Sequence, residues 1–94
     1  MQIVLRSKRE QILQTAAHYG IRRVRVFGSV ARGTDDERSD VDFLVELAPD
    51  RSLLDLGGFL YEVRSLLGID VDVVTEKGLR KRIRERVLAE AVDL

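Results

Sequence analysis

The sequence predicts an α/β (α+β) domain in which a small sheet is flanked by helices, with the element order α-β-β-α-β-α. Three observations support this fold class. Short runs rich in valine, with alternating side-chain character, occur three times and are typical of strands. Apolar residues spaced three and four apart, typical of amphipathic helices, lie before and between these runs and after the last one. Glycine stands at several of the junctions, where it can end an element.

The first predicted element is a helix. Ser7 is followed three residues later by Glu10, which is the pattern of a capping box at the start of a helix. Apolar residues on one face continue the pattern, and Gly20 is suited to end it. These features predict a helix over about 7–19.

Three strands are predicted. Residues 22–27, RRVRVF, alternate charged and apolar side chains and end at a Gly-Ser pair. Residues 41–47, VDFLVEL, and residues 70–74, DVDVV, place their apolar side chains mainly on one face of each strand. These two later strands are apolar enough to lie in the core, so the acidic residues within them need a structural or chemical reason.

A second helix is predicted between the later strands. Ser52 and Asp55 have capping-box spacing, and the helix should continue to Leu67 before a glycine. Its expected core stripe consists of Leu53, Leu56, Phe59, Leu60, Val63, Leu66 and Leu67. Leu54 and Tyr61 lie off this stripe, where they could either mark a partner contact or pack against a neighbouring loop.

The tail of the chain is predicted to be helical from Thr75 onward. Its apolar residues recur every four positions, which indicates one seam along a helix; they are Leu79, Ile83, Val87 and Ala91. The sequence contains no repeat, linker or low-complexity tract. We therefore expect a single domain over residues 1–94.

Composition and charge exclude several classes of function. No apolar run approaches the roughly 20 residues that cross a bilayer, so no membrane role is expected. The chain has no cysteine, which excludes disulfide and thiolate chemistry, and we expect a cytoplasmic protein. The net charge is zero, and this balance argues against direct nucleic-acid binding, which favours a basic excess. The sequence is compatible with a homo-oligomer or a hetero-oligomer.

Acidic residues are concentrated in the middle of the chain. Residues 33–72 carry eleven acidic and three basic residues, and Asp40 and Asp42 stand at the start of the second strand. Side chains two apart in a strand share a face, with Cα atoms about 6.5–7 Å apart, so both could converge on one or two hard cations. The alternative is that Asp40 belongs to a loop and Asp42 only faces solvent.

The Gly28-Ser29 pair, placed after a strand and before a predicted helical turn, suits phosphate binding. Glycine lets a phosphate approach the backbone, and Ser29 offers both an N–H and a hydroxyl. Arg32 could clamp phosphate oxygens, or it could form a surface ion pair with one of three nearby acidic residues, Asp35, Asp36 and Glu37. Combined with Asp-x-Asp, this turn is a stronger signal than either motif alone.

The run from Gly28 to Val45, GSVARGTDDERSDVDFLV, resembles the signature of the polymerase-β-like nucleotidyltransferases: Gly-Ser, ten residues, then Asp-x-Asp. The short length and the closing stretch over residues 71–94 resemble the minimal nucleotidyltransferases, the MntA-like antitoxins of HEPN/MNT toxin–antitoxin systems. The resemblance covers nearly the whole chain. It implies a polymerase-β-like nucleotidyltransferase fold with a small mixed sheet flanked by helices.

The same resemblance implies roles for individual residues. Gly28 and Ser29 match the nucleotide-positioning pair, and Asp40 and Asp42 match the metal-binding pair. The third carboxylate of the family falls on Asp72. The residues alone leave Asp70 open, because it shares a face with Asp72. Asp72 is favoured since it lies inside the apolar run.

The resulting hypothesis is an enzyme that uses two Mg²⁺ ions and ATP to transfer AMP to a hydroxyl of a HEPN-domain toxin, with a tyrosine as the expected acceptor. The partner would be silenced by the added bulk and charge. Two alternatives remain. The chain could neutralise its partner by contact alone, or it could transfer nucleotide to a small molecule or RNA.

Overall fold

The computed structural model describes residues 2–34 and 40–94. Its elements, in chain order, are α1 (Gln2–His18), β1 (Ile21–Phe27), α2 (Gly28–Arg32), β2 (Val41–Leu47), α3 (Leu53–Leu67), β3 (Val71–Thr75), a 3₁₀ turn (Glu76–Gly78), α4 (Lys81–Glu90) and β4 (Val92–Asp93). Within the described ranges, no helix has the length and apolar character that crossing a membrane requires.

The four strands form one mixed sheet in the order β3-β2-β1-β4. Strand β1 runs antiparallel to both β2 and β4, whereas β2 and β3 are parallel. A parallel pair cannot be joined by a tight turn, so α3 forms the crossover between β2 and β3. The predicted fold class, a small mixed sheet with flanking helices, is confirmed.

Helices α1 and α3 pack on one face of the sheet and form the main core with it. The side chains of β2 that alternate toward this face are almost completely buried. The core cluster consists of Leu5, Ile12, Ala16, Ile21, Val24, Val26, Val30, Val41, Phe43, Val45, Phe59, Val63 and Val71. It includes α2 through Val30, which fixes that short helix against the sheet.

The opposite face of the sheet carries charged residues and a smaller apolar contact. Leu44 is fully buried but alternates away from the main core, and Val87 is the buried residue of α4. Neither belongs to the core cluster, and α4 packs against α2. Arg25 is also buried here, with its Nη2 3.8 Å from the Glu46 carboxylate. This face continues toward the amino end of β2, where the acidic residues lie.

The predicted start of α1 is wrong by five residues. The helix begins at Gln2, and the Ser7 hydroxyl donates to the Val4 carbonyl at 2.9 Å, which is the bond of a serine inside a helix. The physical reason is burial: Leu5 is 4% exposed and shares a face with Ile12. Extending the helix toward its amino end therefore buries another large apolar side chain.

The central predictions are closer to the structure. Strand 41–47 is confirmed, and the Ser52–Asp55 capping box is present, with both reciprocal bonds formed. The core stripe of α3 is confirmed at Phe59 but wrong at Leu53, which is 80% exposed at the first turn of the helix. Leu54 and Tyr61 are 87% and 73% exposed, which argues against the alternative that they pack on a neighbouring loop and leaves the partner contact untested.

The tail departs from a single helix. Thr75 caps the 3₁₀ turn by accepting a hydrogen bond from Gly78 N–H, and α4 begins only at Lys81. After α4 the chain adds β4, which pairs with β1 and was not predicted. A strand of two residues is too short to show alternation, so periodicity has nothing to detect.

Candidate active site

Three strand termini meet at one edge of the sheet. Because β1 and β2 are antiparallel, the end of β1 lies beside the start of β2, and Phe27 is the register partner of Asp42. Because β2 and β3 are parallel, Asp42 is the register partner of Asp72. The Gly28-Ser29 turn follows Phe27 directly. The topology therefore brings the turn and two of the predicted carboxylates together.

Asp42 and Asp72 form a coupled acidic pair. Register partners on neighbouring strands have their side chains on the same face, so the two carboxyl groups lie close together. Partial burial, followed by the negative charges of Asp72 and Asp40, raises the pKa of Asp42 from 3.8 to about 6. The positive charge of Arg32 opposes this rise. Such a site has excess negative charge that a divalent cation would neutralise.

Asp40 lies immediately before β2 and its side chain is exposed. It acts on Asp42 through its negative charge. Over residues 2–34 and 40–94, no three carboxylate or imidazole side chains lie close enough to enclose a metal ion. The donor set suits Mg²⁺ because all three side chains supply oxygen ligands, but Asp40 would have to turn toward the other two.

Asp70 occupies a different position from Asp72. It precedes β3, its side chain is 77% exposed, and it lies 3.8 Å from Arg64 Nη2. Its backbone carbonyl accepts a hydrogen bond from Val41 N–H at the start of the β2–β3 pairing. Both aspartates are exposed, but Asp70 lies near a basic side chain, whereas Asp72 is the register partner of Asp42.

Gly28 is required by the geometry of the turn. Its φ of 77° lies in the left-handed region, which side chains other than glycine adopt at a cost. A Cβ at this position would also collide with the Asp42 carboxylate. Glycine therefore lets the backbone of the turn approach the acidic pair. Helix α2 starts at this residue and ends at Arg32, with Gly33 as its C-cap.

Arg32 has a partner that sequence analysis missed. Its Nη1 lies 2.9 Å from Glu90 Oε2, and Glu90 Oε1 also accepts a hydrogen bond from Gly28 N–H at 3.2 Å. The three acidic residues expected as alternatives, Asp35, Asp36 and Glu37, lie outside the described residues. Glu90 comes from the far end of α4, so no local spacing in the sequence could have indicated it.

The fold and the site together define a nucleotidyltransferase. The family model described as "Nucleotidyltransferase domain" matches residues 7–94. The chain belongs to this nucleotidyltransferase domain family, within the minimal nucleotidyltransferases. The predicted family and enzyme class are confirmed.

Relatives of similar length support this assignment. The chain is 40% identical over 86 residues to a candidate protein adenylyltransferase of Methanocaldococcus jannaschii, and the match covers 92% of each chain. It is also 40% identical over 74 residues to the protein adenylyltransferase MntA of Thermococcus cleftensis, covering 79% of this chain and 75% of the relative.

Solved structures agree with the fold. A candidate minimal nucleotidyltransferase superposes with a TM-score of 0.86 at 50% identity, covering 96% of this chain and 92% of the other. A toxin–antitoxin complex with AMP-PNP contains a chain that superposes with a TM-score of 0.75, covering 89% of this chain and 69% of the other. That chain is 21% identical, so its likeness concerns the fold alone.

Proposed function

We propose that this nucleotidyltransferase transfers AMP from ATP to a hydroxyl of a partner toxin and thereby acts as its antitoxin. The observation that carries the chemical part is the Asp42–Asp72 pair beside the Gly28 turn, with Asp40 next to it. The biological part is supported by relatives of nearly equal length that are named protein adenylyltransferases. The expected partner is a HEPN-domain ribonuclease toxin.

Asp40, Asp42 and Asp72 would hold two Mg²⁺ ions. When bound, the ions lower the pKa of the attacking hydroxyl and stabilise charge on the phosphates. The three carboxylates are suited to this role because they repel one another without a cation, as the raised pKa of Asp42 indicates. Binding of the metal therefore relieves an unfavourable interaction in the fold.

Gly28, Ser29 and Arg32 would bind the triphosphate. The turn offers backbone N–H groups at the start of α2, and the Ser29 hydroxyl is part of the same turn. Arg32 adds a positive charge near Asp42, since that charge acts on the Asp42 carboxyl group. These groups place the nucleotide beside the carboxylates, with its α-phosphate toward the acceptor.

The reaction forms a bond between the acceptor oxygen and the α-phosphorus and breaks the bond from that phosphorus to the bridging oxygen. Pyrophosphate leaves, and the hydroxyl proton passes to Asp72. We propose a tyrosine acceptor because its hydroxyl projects far from the backbone of a folded partner. A domain of this size offers little surface for selecting a small acceptor, so docking with the partner provides the selection.

Labelled ATP provides the test of the proposal. Purified protein and the toxin encoded beside it should give label on the toxin with α-labelled ATP and Mg²⁺, and none with a chelator. Asp40→Asn and Asp42→Asn should each abolish labelling. Asp50→Asn is the matched control, because Asp50 follows the opposite end of β2 and should label like the wild type. Labelling that survives Asp42→Asn would refute the assigned site.

A further inference from the structure

The carboxyl end of α4 reaches across to the nucleotide-binding turn. Glu90 is the last residue of α4, and its side chain is 19% exposed. One carboxylate oxygen accepts from Gly28 N–H at 3.2 Å and the other accepts from Arg32 Nη1 at 2.9 Å. A single side chain therefore binds both the first and the last residue of α2.

Glu90 is ionised at neutral pH. Burial alone would raise its pKa, but the hydrogen bonds from Arg32 and from Gly28 N–H outweigh burial and lower the pKa below its ordinary value. The positive charge of Arg86 acts in the same direction. Both hydrogen bonds are therefore charge-assisted, which makes them shorter and stronger than neutral ones.

Helix α2 depends on contacts of this kind. It has five residues, fewer than an isolated helix needs, and its N-cap residue Phe27 provides no side-chain hydrogen bond. Val30 anchors it in the core, but that contact does not orient the backbone of Gly28. The hydrogen bond from Gly28 N–H to Glu90 orients this backbone, because it fixes the direction of the peptide group.

Gly28 lies between two carboxylates. Its N–H donates a hydrogen bond to Glu90, while a Cβ on its α-carbon would collide with the Asp42 carboxylate. Arg32 is likewise bound by Glu90 and acts on the charge of Asp42. Glu90 therefore contacts two groups that lie near Asp42: the backbone of the turn and the Arg32 side chain.

We propose that Glu90 is a positioning residue that holds the Gly28-Ser29 turn and the Arg32 guanidinium at the spacing a nucleoside triphosphate requires. This inference rests on the proposed function, because it assumes that the turn binds the triphosphate. The opposite role is that the Glu90 carboxylate competes with phosphate for the same donors. The two roles differ in sign: removing Glu90 weakens nucleotide binding in the first case and strengthens it in the second.

Direct binding of Mg·ATP to the whole chain separates these roles. Glu90→Ala should raise Kd about tenfold, which is the expected effect of losing one charge-assisted interaction. Glu90→Gln should raise Kd less, because its amide oxygen can still accept from Gly28 N–H. Asp93→Asn is the matched control: it removes a comparable surface ion pair, Arg23–Asp93 at 2.8 Å, and should leave Kd unchanged.

Steady-state kinetics provides a second readout. Loss of positioning at the triphosphate should raise KM for ATP with a smaller change in kcat. Unchanged Kd and KM in Glu90→Gln, or tighter binding of Mg·ATP, would overturn the inference. If Glu90→Ala fails to fold, Glu90→Gln alone tests the positioning role. Wild-type protein that does not bind Mg·ATP would overturn the proposed function as well, whereas normal binding in all variants overturns only the role of Glu90.

Discussion

Asp42 is the residue at which the negative charges of the site meet. Its partial burial, together with the negative charges of Asp72 and Asp40, raises its pKa to about 6. Metal-free protein therefore binds a proton at Asp42 more tightly when folded than when unfolded. Because the folded state binds this proton more tightly, Asp42 lowers the free energy of unfolding as pH rises from about 4 to about 6.

Asp42→Asn should remove that dependence. Without metal, the variant should become more stable than the wild type as pH rises from 4 to 6. Its free energy of unfolding should stay the higher of the two at pH 7. Because the group is partly solvated, we expect a gain of about 1 kcal/mol, well below the full value of the pKa shift. Urea unfolding with a chelator at several pH values measures it. A variant less stable than wild type at pH 7 would contradict the charge-repulsion account.

The two aspartates of the third strand should differ sharply in their effects. Asp72→Asn removes a carboxylate that lies against Asp42, whereas Asp70→Asn removes only an exposed group near Arg64. We expect turnover to fall by about a hundredfold or more in the first variant, because charge stabilisation in the transition state is lost, and to stay near wild type in the second. Equal losses in kcat would move the third carboxylate to Asp70.

Sequence reasoning favoured Asp72 because a carboxylate inside an apolar run needs a reason, and its role as the third carboxylate stays a prediction. The parallel register places Asp72 beside Asp42, where two like charges favour binding of a cation. The same reasoning could not reach Glu90. Its contacts with Gly28 and Arg32 span 62 and 58 residues, and such pairing depends on how α4 packs rather than on any local spacing.

At the scale of elements, α3 connects the parallel strands and contains adjacent glycines in different surroundings. A Cβ at Gly57 would meet nothing within 4 Å, whereas a Cβ at Gly58 would collide with the ring of Tyr19. Gly58 therefore leaves room against α3 for the ring of Tyr19, the residue that follows α1. Gly57 has no such contact and only weakens the helix.

Alanine substitutions at these two positions should have opposite effects. Gly57→Ala should raise the free energy of unfolding by about 0.5–1 kcal/mol, because alanine is the better helix former. Gly58→Ala should lower it by about 1–3 kcal/mol, because the Tyr19 ring must move. Thermal unfolding of both variants is the measurement. A stabilising Gly58→Ala would show that the α1–α3 contact adapts freely.

The boundaries of an element were predictable where local hydrogen bonds determine them. They were not predictable where burial in the core determines them. The Ser52 capping box and Gly68 bound α3 as expected, because their hydrogen bonds lie within a few residues. The start of α1 was misplaced because Ser7 and Glu10 match a capping pattern inside a helix whose extent is set by burial of Leu5. Tertiary packing overrode a local signal there.

At the scale of the whole molecule, the exposed side of α3 is distinct from the edge of the sheet that carries Asp42 and Asp72. Leu53, Leu54 and Tyr61 are 80%, 87% and 73% exposed, so this helix presents large apolar groups to solvent. The acidic pair lies instead where β1, β2 and β3 meet near α2. A folded acceptor protein must reach that edge for its hydroxyl to approach the site.

The mixed topology of the sheet was implied by family resemblance and not by residue patterns. Alternation marks β2 and β3 as strands but is the same for parallel and antiparallel pairing. The structure adds the order β3-β2-β1-β4, in which the short β4 closes the edge beside β1. This order is what places the Gly28 turn and Asp72 on opposite sides of Asp42.

The most direct test of the central claim is the intact mass of the partner toxin after co-expression with this chain. Our account predicts that the toxin gains the mass of one or more AMP groups, mapped by peptide sequencing to a tyrosine, and that it is inactive. Co-expression with Asp42→Asn should leave the toxin unmodified and active, since that variant lacks the carboxylate at the centre of the site. An unmodified toxin that is still neutralised by Asp42→Asn would contradict the account and identify the chain as an inhibitor by contact.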